Sequence, residues 1–284
     1  MEARKRPENK PLPARRGYNA AMPLVDPFRV LAALGPAAAR FDVRALEICD
    51  STNSEVQRLA AMGMPSGLVV IADRQTAGRG RRGRVWLAEP EQGLTFSLLW
   101  RFDGSPARLA GLSLAVGVAL ARAIDTLGIP GVGLKWPNDL LALLPTGPAK
   151  VAGILVELSN EPKATQAVIG IGINLLKPSE RCDQPAAGLA ELAGEPPERH
   201  ALLSACLGSL AGVLDAFSVG GFAVFCDEWE RRHAWAGQTV RVTGEGDAEL
   251  TGVCRSIGVD GCLLLETPGG LIRVMAGDVS LRRS

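Results

Sequence analysis

Arg74-Gln-Thr-Ala-Gly-Arg-Gly-Arg-Arg-Gly-Arg-Val85 is the stretch on which the reading of this chain turns. It carries five arginines (Arg74, Arg79, Arg81, Arg82, Arg84) and three glycines (Gly78, Gly80, Gly83), with no acid between Asp73 and Glu89. Unpaired guanidinium groups are too costly to bury, and glycine lets a backbone turn tightly and approach a ligand closely. The stretch is therefore either a disordered basic tract or an anion cradle.

Its flanks decide between the two. Leu68 to Asp73 is a short apolar strand leading straight into the arginines, and Leu94 to Trp100, after Pro90 and Gly93, is the next strand. Gly78-x-Gly80-x-x-Gly83 matches the dinucleotide fingerprint literally, but that fingerprint needs a helix opening at the glycines, and Trp86 to Gly93 is a turn-rich connection. The glycine-loop match to protein kinases fails because no HRD or DFG element follows, and no GxxxxGK[ST] phosphate loop occurs. What remains is an arginine-lined loop between strands, suited to a phosphate or carboxylate through charge-assisted hydrogen bonds. Arg74, Arg82 and Arg84 are expected to face solvent or a partner, and the loop to stay mobile until an anion arrives.

Outward from the loop, Asp26 to Phe41 predicts a short helix and Arg44 to Asp50 a strand. Ser51-Thr-Asn53, with Glu55 behind it, reads as a capping cluster opening a helix to about Met62. Leu109, Leu112, Val116, Ala119, Ala123 and Leu127 keep helical spacing. The apolar run Ala110 to Ala121 within them is a buried helix, too short to span a bilayer. Val132 to Trp136, Leu140 to Leu144, Lys150 to Leu158 and Ala167 to Asn174 are successive strands, Pro178 to Pro197 a polar loop, and Glu198 to Phe217 and Phe222 to Arg232 helices. Many strands with few long helices indicate an α+β fold with a mixed β-sheet and packed helices. From Thr239 onward short β runs separated by Gly-rich turns indicate a small β-barrel. The expected organisation is a disordered basic tail (1–25), a catalytic domain (26–235) and a C-terminal barrel (236–284).

The net charge of +1 over 284 residues makes the loop a local concentration of charge and argues against a protein that coats nucleic acid. The six cysteines have no CxxC spacing and there are only two histidines, so neither a zinc site nor a disulfide framework is indicated, and a reducing cytoplasm is expected.

Polar groups interrupt the apolar strands at Lys135-Trp-Pro-Asn-Asp139, at Lys150, and at Asn174, which ends Gly170-Ile-Gly-Ile. Singly, each has a structural explanation. Together with Gln75 and the arginines they suit an anionic, hydrogen-bonding ligand, with no nucleophile–base pair evident. That set fits a reaction run by positioning and charge neutralisation, such as adenylation of a carboxylate, which needs no general base.

In order and spacing, Ser51-Thr-Asn53, Gln75 with Gly78-Arg-Gly-Arg-Arg-Gly-Arg84, Lys135-Trp-Pro-Asn-Asp139, Lys150-Val-Ala-Gly-Ile-Leu-Val-Glu157 and Gly170-Ile-Gly-Ile-Asn174 resemble the biotin protein ligases. The resemblance runs from about Arg44 to Arg282. It implies a catalytic fold like that of class II aminoacyl-tRNA synthetases, with an SH3-like C-terminal barrel. It also implies a two-step reaction: biotin and MgATP give biotinyl-adenylate, and a lysine of a biotin carboxyl carrier protein then takes the biotin. By position, Ser51, Thr52, Asn53, Gln75 and Gly153 would hold biotin, with Arg79, Gly80 and Arg81 closing over it. Lys150 would stabilise charge at the reacting carboxylate, assisted by Arg81. Lys135, Asn138, Asp139 and Asn174, with Arg79 and Arg81, would serve the nucleotide, its phosphates and Mg2+, with Asp139 as the metal ligand and Trp86 in the apolar wall of the nucleotide site.

Two departures from the family pattern follow. The segment before Arg44 is too short for the winged helix-turn-helix that some members carry, so no DNA binding is expected. The loop from Leu175 to Pro197 lacks an aromatic residue to cover adenine, leaving aliphatic groups such as Leu189 or Leu192. No membrane association is expected, and a homodimer is allowed. The alternatives are a lipoate or octanoate ligase of the same superfamily and, from another class, an RNA-binding protein, for which the aromatic fraction of 5% leaves few stacking platforms.

Overall fold

The computed structural model of the chain describes residues 23–86, 89–179, 184–244, 249–277 and 279–283. Most of the expected basic tail, Cys182 and most of the Gly244 to Asp247 turn lie outside the described residues.

Helix α1 (Pro27–Leu34), capped by the Asp26 carboxylate, and a 3-10 turn (Gly35–Arg40) precede strand β1 (Asp42–Cys49). Helix α2 (Thr52–Ala61) leads to β2 (Leu68–Gln75), and the arginine loop leads to β3 (Gly93–Asp103). Helix α3 (Leu112–Thr126) is followed by β4 (Val132–Lys135), β5 (Asp139–Leu144), β6 (Gly147–Asn160) and β7 (Ala164–Asn174). These strands form one mixed sheet of order β1-β2-β3-β7-β6-β5-β4, with β1 and β2 parallel and the other pairs antiparallel.

The alternation of side chains along the central strands sorts the two faces of this sheet. Leu94, Phe96 and Leu98 of β3 lie opposite Ile173, Ile171 and Ile169 of β7, and all six are buried in the main core with α3 and α5 (Arg199–Gly220). On the other face a smaller cluster of Val70, Leu99 and Val168 packs under Val56 and Ala60 of α2. Beyond α2 that face carries glycines and polar residues, and the cavity lies there.

Short helix α4 (Ala190–Ala193) falls inside the segment read as a polar loop, because Leu189, at its N-cap, is fully buried and pulls the chain back onto the sheet. The apolar run at Ala110 is also longer than its reading. Turn Pro106–Leu109 precedes α3 across the non-helical Ala110 and Gly111, and the stretch Pro106–Thr126 (21 residues), like Arg199–Gly220 (22 residues), reaches membrane-spanning length and apolarity. They pack against each other and the sheet, as the buried Val116, Leu120 and Leu210, Leu214 record. Helix α6 (Cys226–Arg231) leads to β8 (Thr239–Thr243), β9 (Glu249–Ile257), β10 (Leu263–Thr267), β11 (Gly270–Val274) and β12 (Ser280–Arg283), an antiparallel sheet of order β11-β10-β9-β8-β12. The last strand escapes a reading based on hairpin turns, since it pairs with β8 across the unit.

Candidate active site

A cavity of about 380 Å3 opens on the uncovered face of the main sheet. The polar, glycine and aromatic residues singled out from the sequence line it: Ser51, Thr52, Asn53, Gln75, Arg79, Gly80, Arg81, Trp86, Lys135, Asn138, Asp139, Lys150, Gly153 and Asn174.

Its floor is set by strand register. Asp139 of β5 pairs with Gly153 of β6, Gly153 with Gly172 of β7, and Gly172 with Thr95 of β3, making one row across the sheet. Leu155, Gly170 and Ser97 make the next row. The glycines keep this surface bare for groups that lie on it. A Cβ on Gly172 would sit 2.2 Å from the Trp86 indole, and one on Gly170 would sit 2.3 Å from Asn53 Oδ1. Period-two alternation of Gly and Ile in Gly170-Ile-Gly-Ile is the sequence signal of a strand buried on one face and cleared on the other.

The Ser-Thr-Asn cluster turns out to be more than a helix cap. Ser51 stands at the N-cap of α2, yet its side chain makes no capping hydrogen bond. Gln75 Oε1 accepts from the Thr52 backbone N–H at 2.8 Å and from its hydroxyl at 3.3 Å. The Ser97 hydroxyl lies 2.7 Å from Thr52 Oγ1 and 2.6 Å from Asn53 Oδ1, and Asn53 Nδ2 donates to Glu157 Oε2 at 2.7 Å. Asn53 thus spends its amide inside the protein and orients the cluster. Ser97 and Glu157, from two other strands, complete this network.

The cationic end is built on a β-bulge. Leu140 pairs with Ala152 and Leu141 with Lys150, leaving Val151 as an extra residue. A bulge re-aims side chains. Lys150 therefore shares a face with Asp139 and Gly153, although it stands three residues from Gly153. Its ammonium lies 2.6 Å from Asp139 Oδ1, and Lys135 Nζ lies 3.1 Å from Oδ2. Burial alone would raise the Asp139 carboxyl, but the two flanking ammonium groups hold it well below the usual carboxylate range. Burial lowers the Lys135 ammonium despite Asp139. Lys135 Nζ also donates to Gln184 Oε1 at 2.9 Å and sits 4.7 Å from the Trp235 ring centroid. The triad keeps one net positive charge at the cavity wall.

The metal role expected of Asp139 does not fit this geometry. Both carboxylate oxygens are taken by ammonium groups, and no cluster of three His, Cys, Asp or Glu side chains that could hold a metal occurs among the described residues. Asn174 is likewise committed: Nδ2 donates to Ala187 O at 3.1 Å and to Lys150 O at 3.4 Å, pinning the segment before α4. Leu189 and Leu192, read as adenine neighbours, point elsewhere; Leu189 is in the core and Leu192 packs on Gly131.

The arginine loop is a folded hairpin over the cavity. Arg79 and Val85 form an antiparallel bridge, Gly80 N–H donates to Arg84 O at 2.7 Å, and Trp86 N–H to Gly78 O at 3.0 Å. Arg79 pairs with Glu157 at 3.2 Å, and Arg81 donates to Asn138 Oδ1 at 3.1 Å and to Gly277 O. Lys150 Nζ lies 5.5 Å from the Trp86 ring centroid. Arg82 and Arg84, expected to face solvent or a partner, are exposed and also reach the C-terminal sheet. Trp86 Nε1 and Thr95 Oγ1 are buried and make no hydrogen bond within the protein. Buried polar atoms are rarely left so, and both line this cavity, ready for a ligand with hydrogen-bonding groups of its own.

The geometry agrees with comparison to known proteins. Residues 46–174 match the biotin/lipoate A/B protein ligase family, and residues 236–282 match the biotin protein ligase C terminal domain. The bifunctional ligase/repressor BirA of Escherichia coli is 37% identical over 244 residues, covering 84% of this chain and 74% of that protein. The biotin--[acetyl-CoA-carboxylase] ligase of Mycobacterium tuberculosis is 35% identical, covering 81% of this chain and 85% of its own length. The structure of biotin protein ligase from Aquifex aeolicus in complex with biotin and ATP superimposes with a TM-score of 0.72 at 32% identity, covering 86% of this chain and 99% of that one. The chain belongs to the biotin/lipoate A/B protein ligase family, with the C-terminal domain of the biotin protein ligases.

Proposed function

We propose that the chain is an ATP-dependent biotin protein ligase, which activates biotin to biotinyl-5'-AMP and transfers it to a lysine of a biotin carboxyl carrier protein. The observation that carries this is one cavity with two differently furnished ends that meet at Lys150. One end offers the Trp86 indole, lying on the glycine floor, and the unpaired Thr95 hydroxyl, which suit a neutral, hydrogen-bonding bicyclic ring. The other offers Lys135, Lys150 and Arg81, which suit a carboxylate beside phosphates.

In the first step a carboxylate oxygen of biotin attacks the α-phosphorus of ATP and pyrophosphate leaves. The Lys150 ammonium, held by Asp139, neutralises charge at the mixed anhydride as it forms. In the second step the acceptor lysine nitrogen attacks the acyl carbon, loses its proton, and AMP leaves. Magnesium would enter on the triphosphate, since the described residues offer no cage of three carboxylate, His or Cys groups for it. The reading is supported against an acyl transferase with a cysteine nucleophile, because no described cysteine lines the cavity and burial pushes the Cys206 and Cys254 thiols up to about 12. The helical residues described ahead of β1 pack against α5, so we assign them to the ligase core, and DNA regulation forms no part of the proposal.

Pyrophosphate exchange into ATP, with biotin, lipoate or octanoate as the acid, tests the assignment. Exchange with biotin alone is expected, and exchange driven only by lipoate or octanoate would overturn it. Lys150→Ala should slow single-turnover adenylate formation by about 100-fold, or roughly 3 kcal/mol.

A further inference from the structure

We propose that Arg82 and Arg84 latch the arginine hairpin onto the C-terminal sheet, so that this sheet holds the hairpin closed over the activated intermediate. The inference rests on the ligase reading and adds a partner for the hairpin within the chain.

Arg84 donates to Ser280 Oγ at 3.1 Å, and Arg82 donates to Thr243 O at 3.4 Å and Gly244 O at 3.5 Å. Ser280 and Thr243 are cross-strand partners at one end of the β8–β12 pair, so both arginines dock on a single patch. Ser280 is only 8% exposed, so the hydroxyl that receives Arg84 belongs to a buried, well-placed residue. The backbone supplies an independent sign: Arg82 has φ 58° and ψ 37°, the left-handed region that side-chain-bearing residues rarely adopt. Such a conformation persists where its surroundings hold it. The bonds from its guanidinium to two carbonyls at the end of β8 are that hold.

The sheet that carries this patch is itself packed on the catalytic domain, through the turn ahead of β10. The Trp136 indole, next to Lys135, donates to Gly261 O at 3.0 Å in a buried contact, and Gly261 sits so close to Gly111 that a Cβ would come within 2.7 Å of its Cα. Because the hairpin is tied across its own base by the Arg79–Val85 bridge, fastening its tip also fixes Arg79 and Trp86 over the cavity. Both latch arginines border the cavity, but their guanidinium groups are spent on the C-terminal sheet. Their effect falls on how long the intermediate stays, and formation of the intermediate depends on Lys150.

The test uses the full chain with Ser280→Ala, Arg84→Ala and their combination, and with Arg82→Ala. The preformed complex with biotinyl-adenylate is chased with excess unlabelled biotin and ATP, and escape of the labelled adenylate is followed. Escape should be about tenfold faster for Ser280→Ala and Arg84→Ala, with the double variant no faster than either, because one bond is lost in all three. Arg82→Ala should also speed escape. Single-turnover formation of the adenylate should stay within about threefold of the wild type, and the thermal midpoint should be unchanged. Hydrogen exchange of the amides at residues 80–84 gives a readout without ligand, and it should speed up in Ser280→Ala. Unchanged escape and unchanged exchange in Ser280→Ala, or additive effects of the two substitutions, would overturn the latch. A wild-type protein with no biotin-dependent pyrophosphate exchange would instead sink the ligase reading, leaving the exchange measurement to judge the latch.

Discussion

Glycine 172 decides whether the cavity exists in its present form. Its missing Cβ leaves the space that the Trp86 indole occupies, with the indole carbons and nitrogen 2.2–2.6 Å from where a Cβ would be. Rigid ring atoms against a rigid strand cannot share that space, so the ring must leave. Gly172→Ala should therefore weaken biotin binding by at least about tenfold, or ~1.4 kcal/mol, in isothermal titration. Gly153→Ala gives the contrast: its Cβ would meet the Lys150 ammonium at 3.0 Å, the far end of a flexible side chain, besides the Trp86 ring at 3.2 Å. A smaller loss of biotin affinity is expected there. Equal losses in the two variants would show that the indole position is not what biotin affinity depends on.

Among the elements, the bulged β5–β6 pair does the most for the chemistry. A one-residue slip in a strand exchanges its two faces. Without Val151 as the extra residue, Lys150 would turn toward the side of the sheet that carries α3 and α5, leaving Asp139 with Lys135 alone. Deleting Val151 should abolish pyrophosphate exchange as Lys150→Ala does. It should in addition lower unfolding stability by about 3 kcal/mol relative to Lys150→Ala, because it turns the Lys150 ammonium toward the apolar core under α3 and α5, where no partner charge receives it. Urea titration of the two variants side by side separates the effects. A deletion variant as stable as Lys150→Ala would argue against the role given to the bulge.

At the scale of the whole molecule, the two sheets are joined through buried contacts near the boundary, and one of these is sensitive to pH. The His233 ring is fully enclosed, 4.7 Å from the Trp229 ring centroid, with Nε2 3.4 Å from Cys254 Sγ of β9. Glu230 Oε2 lies 3.8 Å from Nδ1, yet burial dominates and pushes the His233 pKa down to about 4. The unfolded chain takes up this proton near pH 6.5, before the folded one does, so protonation favours unfolding. Stability from this group is complete above about pH 6.5 and is lost as pH falls toward 4, with a ceiling of ~3 kcal/mol. His233→Gln should flatten that part of the stability profile, read as urea midpoints between pH 4 and 7. An identical pH slope in the two proteins would contradict the assignment.

The nature of the site was written in local sequence. Charged and amide residues interrupt apolar strands at Lys135, Asp139, Lys150 and Asn174, and five arginines sit between two strands. Such groups are tolerated there only where a ligand or a partner charge receives them. Strands β2, β3 and β7 and helix α3 are legible for the same reason, since period-two and helical apolar spacing reflect burial directly, whereas α4 and β12 are not. Tertiary structure alone decided which residues meet across strands. Gly170 and Gly172 became a floor, and Ser97 and Glu157 joined the Ser-Thr-Asn cluster, through register with β3 and β6. Asp139 became the centre of a lysine pair where a metal role was expected, because the bulge at Val151 turned Lys150 toward it. Arg84 found Ser280 196 residues away. Sequence alternation specifies which face a side chain takes along its own strand. It says nothing of the neighbour set opposite, because that depends on how the strands are ordered and shifted against one another when the chain closes its core.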